Sequence, residues 1–85
     1  MNFRFTRSFA KSYQRLPIKI RRKADRQIRR LTADFYYPSL RTKKMAGKGL
    51  WEFRIDRSYR MTGEKQNGDF ILRTIGSHDE GLGKK

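Results

Sequence analysis

Apolar and polar residues alternate at the start of the chain. Phe3 and Phe5 are separated by Arg4 and preceded by Asn2, which predicts a short strand. Thr6 follows as a residue whose hydroxyl caps a helix. Phe9, Tyr13 and Leu16 then recur at spacings of four and three, one face of a short helix. Pro17 interrupts this pattern and suits the first turn of a new helix, because it has no amide hydrogen to lose. Ile20, Ala24, Ile28, Leu31 and Phe35 form a longer stripe, with Arg21, Arg22, Lys23, Arg26, Arg29 and Arg30 on the other faces. The stripe reads as core, because the chain has few other apolar residues to bury. The tight Leu16-Pro17 junction predicts an antiparallel helical hairpin.

Between Tyr36 and Gly49 the periodicity dissolves. Pro38 opposes helix, and Arg41, Lys43, Lys44 and Lys48 read as a basic loop. Alternation then returns with a period of two. Trp51, Phe53 and Ile55 interleave with Glu52, Arg54 and Asp56, and Tyr59 and Met61 with Arg60 and Thr62. Asn67-Gly68 predicts a two-residue hairpin turn with positive φ at both positions. Phe70 to Ile75 is apolar on both faces apart from Arg73 and Thr74, as in an interior strand, and Gly76 is expected to end it. The expected order is β-α-α-β-β-β, a small single α+β domain over residues 1–85. In it an antiparallel sheet is packed on one face by the helical hairpin, and the first strand lies at the sheet edge.

Charge adds what the pattern lacks. The 85 residues hold 22 Lys and Arg against 8 Asp and Glu, a formal charge of +14, which predicts a polyanionic partner. Aromatic residues make up 13% of the chain, which argues against a fully disordered basic tail because aromatics drive burial. There is no cysteine and one histidine, so neither a disulfide, a thiolate nucleophile nor a Cys- or His-rich metal centre is available, and no cofactor is expected. No apolar run approaches a membrane span and no signal core follows Met1, so a cytoplasmic location without membrane contact is expected.

One set of side chains has the types needed for chemistry. Glu52 and Arg54 share a side of their strand by alternation. Arg60 joins them only if the hairpin register permits, with Arg73 on the next strand and His78 just beyond it. Phosphodiester cleavage in RNA uses a base for the 2′-hydroxyl, an acid for the leaving 5′-oxygen and cations for the phosphorane charge. An imidazole titrates near neutrality, and guanidinium groups fit phosphate oxygens in a bidentate manner. The same residues have structural roles as alternatives: His78 as a turn residue, Glu52 and Arg54 as exposed cross-strand partners, Arg60 as a neutraliser of Glu52, and Trp51 as a packing residue.

The segments Leu50-Trp51-Glu52-Phe53-Arg54-Ile55, Tyr59-Arg60-Met61 and Ile75-Gly76-Ser77-His78-Asp79-Glu80 resemble the RelE/ParE toxin superfamily, in particular RelE- and HigB-like toxins of bacterial toxin–antitoxin systems. The resemblance implies a RelE-like fold over nearly the whole chain. It also implies a metal-independent, ribosome-dependent endoribonuclease that cuts mRNA, and a cognate antitoxin, often acidic where it binds. By the same resemblance Arg54 matches a basic position, Arg60 would hold the scissile phosphate, and His78 falls on a His or Arg position. Glu52 falls where some members are basic. Arg41, Lys43, Lys44, Lys48 and Arg73 are the RNA-binding candidates. The chain departs from many relatives at Leu82, which stands where they place a tyrosine. The alternatives are a ParE-like inhibitor of DNA gyrase and a catalytically inactive binding protein of the same fold.

Overall fold

The computed structural model describes residues 1–45, 47 and 49–77. Strand β1 (Asn2–Phe5) leads into helix α1 (Arg7–Gln14), and α2 spans Ile18–Ala33. The Thr6 hydroxyl accepts the Phe9 amide at 3.0 Å, the N-cap expected from the sequence. Pro17 is the N-cap of α2 rather than its first helical residue, and its carbonyl accepts from Ile20 and Arg21. Tyr13 ties the hairpin together by donating to Asp25 at 2.5 Å, and this bond to the carboxylate raises the phenol above its usual value near 10.

A single 3₁₀ turn, Pro38–Leu40, buries Leu40 and ends at Arg41, whose φ of 49° lies in the left-handed region. Four strands follow: β2 (Lys43–Met45), β3 (Leu50–Arg54), β4 (Tyr59–Gln66) and β5 (Asp69–Ser77). Asn67 and Gly68 have φ of 50° and 86°, the hairpin geometry expected of that dipeptide.

The sheet order is β1-β5-β4-β3-β2. The α+β class, the helical hairpin and the edge position of β1 agree with the sequence reading. Three details differ. The basic segment after Pro38 contains a strand, because Lys43, Lys44 and Met45 pair with Glu52, Trp51 and Leu50. The sheet is mixed, because β1 runs parallel to β5. Gly76 lies inside β5, opposite Arg60, rather than ending it.

Alternation sends one side chain set towards the helices. Phe53, Met61, Phe70, Leu72 and Ile75 pack with Phe9, Ala24, Leu31 and Leu40, and each is almost fully buried. Phe35 stands at the centre of an aromatic group, edge-on to Trp51, Phe53 and Phe70 at 5.1–5.4 Å between centroids. Gly63 is required here: a Cβ on it would lie 2.6 Å from the Ile71 carbonyl oxygen and against the Phe70 ring. Among the described residues no helix packs against the sheet's other face. No helix among the described residues is long and apolar enough to cross a membrane.

Candidate functional site on the open sheet face

The β3–β4 register decides the site. Arg54 pairs with Arg60 and Glu52 with Thr62, so all four project from the face opposite the helices. Lys43 of β2 lies opposite Glu52 and extends the row. Thr62 and Thr74 share a hydroxyl hydrogen bond of 2.6 Å beside them, and Thr62 is buried beneath its longer neighbours.

Two guanidinium groups directly opposite one another repel. Arg60 resolves this by turning towards the β3–β4 connection. Its Nη1 donates to the carbonyls of Asp56, Arg57 and Tyr59 at 2.6, 3.2 and 3.0 Å. The same turn is held by Asp56, whose Oδ1 accepts from the Ser58 and Tyr59 amides at 2.9 Å each while Oδ2 meets Lys23 Nζ at 3.3 Å. Burial alone would push the Asp56 carboxyl up. The two amides and the Lys23 ammonium outweigh it and hold the group below its usual range.

From the helix side, Gln27 reaches the backbone of the same strand. It is almost fully buried within the α2 stripe, and its amide donates to the carbonyls of Arg54 at 2.8 Å and Ser39 at 3.2 Å. Sequence reasoning passed over it. The signal was a polar residue between Ala24 and Leu31, at the spacing of the buried face.

The other candidates are distributed more widely. Arg73 sits at the β-bulge where Thr62 pairs with Thr74 and Gly63 with Leu72, and it is paired with Glu64 at 3.0 Å. Lys44 points to the helix side, its Nζ 5.8 Å from the centre of the Trp51 ring. Arg41 is exposed at the end of the 3₁₀ turn. Lys48 and His78 lie outside the described residues, as does Leu82. Ser77, immediately before His78, lines a cleft of about 280 Å³ with Ser12, Arg15, Tyr59 and Gly76. No cluster of three His, Asp or Glu side chains suited to a metal ion occurs among the described residues.

This fold, a helical hairpin packed on one face of a mixed five-stranded sheet, is shared with solved structures of toxin–antitoxin proteins. The YoeB/ParE toxin from Agrobacterium tumefaciens aligns with a TM-score of 0.75 at 20% identity, over 92% of this chain and 99% of that one. A chain of the RelB–RelE antitoxin–toxin complex from Methanococcus jannaschii gives 0.72 at 21%, over 88% and 89%. A chain of the E. coli DinJ–YafQ complex gives 0.72 at 10%, over 98% of both. No curated protein matches in sequence. The family model of the ParE-like toxin domain matches residues 18–80, and the chain belongs to that family, within the RelE/ParE toxin superfamily.

Proposed function

We propose that the chain is the toxin of a type II toxin–antitoxin pair and acts as an endoribonuclease on ribosome-bound mRNA. The observation that carries this reading is the direct opposition of Arg54 and Arg60 on the open sheet face, with Glu52 and Lys43 alongside. Arg54 and Arg60 stand on paired strands of one face, and a phosphodiester there would be met by the Arg54 guanidinium and by the Arg60 nitrogens that the turn carbonyls leave unused. In this reading Arg60 clamps the scissile phosphate and Arg54 supports it. His78 moves the proton at the leaving or attacking oxygen, and Glu52 orients the 2′-hydroxyl or its base. Lys43 and Arg73 would contact flanking phosphates. The partners are the ribosome with its mRNA and an antitoxin of acidic character, and the site of action is the cytoplasm.

The test is single-turnover cleavage of a defined mRNA on purified ribosomes. Wild type is expected to produce new 5′ ends within translated codons. His78→Gln, which keeps a hydrogen bond but does not titrate near neutrality, is expected to cost about 10²–10⁴ in rate and to flatten one arm of the pH–rate profile. Equal cleavage by both proteins would remove His78 from the mechanism.

A second reading has its own support. The match is to a ParE-like domain, and the Arg60 Nη1 is already engaged by three carbonyls. Growth arrest with an SOS response and no new mRNA ends would replace the nuclease with a gyrase inhibitor.

A further inference from the structure

Helix α2 buries Ala24, Gln27 and Leu31 against the sheet, which leaves the opposite side to solvent. That side carries Lys19, Arg22, Arg26 and Arg29 at spacings of three, four and three. All four are exposed, and none makes an ion pair or side-chain hydrogen bond among the described residues. They follow one another at about a helical turn, ~5.4 Å, along one ridge. Asp25, the helix's own carboxylate, is turned aside towards Tyr13.

Where α2 ends the surface becomes aromatic. Asp34 accepts the Tyr36 amide at 3.0 Å, and this turn leaves the Tyr36 side chain among the most exposed large apolar groups, at 63%. Its ring meets Phe35 at 5.1 Å and Trp51 at 6.3 Å. Lys65 lies 5.3 Å from the Trp51 ring centre, with Lys44 at 5.8 Å. The outer side of α2 therefore carries a row of unpaired cations, and the turn that follows the helix carries an aromatic group flanked by two more lysines.

We infer that this surface binds a single-stranded RNA segment, with phosphates along Lys19, Arg22, Arg26 and Arg29 and a base stacked on Tyr36. Arginine forks fit phosphate oxygens, and an exposed ring beside lysines is the recurring platform for an unpaired base. An acidic protein partner fits less well. Protein interfaces are built around an apolar centre, whereas here the cations hold the middle of the helix, and the exposed apolar groups, Ile18 at its first turn and Tyr36 after its last, lie at the two ends. The surface is separate from the sheet face proposed for cleavage and does not require that face to be catalytic.

The test measures binding of a labelled 2′-O-methyl oligouridylate by anisotropy across a salt series. This probe has no attacking hydroxyl, so a failure of the cleavage reading leaves the measurement intact. Replacing all four ridge cations with Gln is expected to flatten the slope of log K against log salt by roughly 3, from about 0.7 per lost contact. Each single replacement should remove about 0.7, which keeps the test decisive if the quadruple variant unfolds. Tyr36→Ala is expected to weaken binding about tenfold or more at every salt concentration with the slope unchanged. Unchanged slopes in the single and quadruple variants would overturn the inference. So would competition by poly-glutamate as effective as that by RNA of equal charge, which would assign the ridge to an acidic protein.

Discussion

The open sheet face and the outer side of α2 are both basic, but their cations are held differently. On the sheet, Arg4, Arg60 and Arg73 have partners, while the Arg54 and Lys43 side chains have none among the described residues. Arg4 meets Asp69 at 3.2 Å, Arg73 meets Glu64 at 3.0 Å, and Arg60 is anchored by turn carbonyls. On α2, four cations stand free of ion pairs among the described residues. A guanidinium fixed by its neighbours stabilises charge at one place, as a transition state requires. A row of exposed, unpaired cations favours any polyanion and loses that preference as salt rises. The net charge of +14 sums the two and distinguishes neither.

The sharpest way to break this comparison is through Arg60. Arg60→Ala is expected to slow single-turnover cleavage on ribosomes by about 10²–10³, whereas Gln at the four α2 positions should leave the rate at saturating ribosomes unchanged. Equal losses from both would erase the distinction between a positioned and a diffuse charge. Arg60→Lys retains the charge without the fork and should recover little of the rate.

Gly63→Ala acts beneath both surfaces. The added methyl meets the Ile71 carbonyl and the Phe70 ring, and overpacking of this kind costs typically 1–3 kcal/mol. Thermal melting should show the loss, and RNA binding and cleavage should decline together as the fold weakens. Gln27→Leu is expected to cost about 1–3 kcal/mol, because the Arg54 and Ser39 carbonyls lose their buried donor. Urea unfolding measures that cost. Its effect on cleavage should exceed its effect on oligouridylate binding, since Gln27 braces the strand that carries Arg54 and touches none of the ridge.

The smallest expected effect is that of pH on the β3–β4 turn. The Asp56 carboxyl is depressed in the folded chain, so its stabilisation is complete above the unfolded value near 4. It is lost as pH falls through the lower folded value. Urea midpoints for the wild type should therefore decline below about pH 4 more steeply than for Asp56→Asn, which has no charge to lose. Parallel profiles would show that the turn holds Arg60 without help from that charge.

The parts of this molecule legible in the sequence are those written in a single element. The 3/4 spacing of Ile20, Ala24, Ile28 and Leu31 gave α2, and Asn67-Gly68 gave its hairpin. Strand β2 was hidden because three residues, two of them lysines, show no alternation to read. The parallel β1–β5 pairing was hidden because alternation specifies a face and carries no direction. The site was half legible for the same reason. Glu52 and Arg54 share a side by pleat alone, but Arg60 reaches them through a register set by the Asp56 turn. Arg73 was read only as lying on the next strand, and its partner Glu64 was not read, because a bulge separates their regular pairings.

The pairing of β1 with β5 also governs when the protein comes into being. Asn2 lies opposite Asp69 and Phe5 opposite Leu72, so the first strand made waits for the last. At roughly 5–20 residues per second of synthesis, that interval is several seconds. Throughout it the N-terminal strand lacks its ladder, and β4 lacks one of its two neighbours. A prematurely terminated chain ending before Asp69 would hold both helices and the Arg54–Arg60 pair but no closed sheet beneath them. Synthesis past β5 is therefore a condition for completing the sheet, and fragments that stop short of it lack the strand on which both β1 and β4 close.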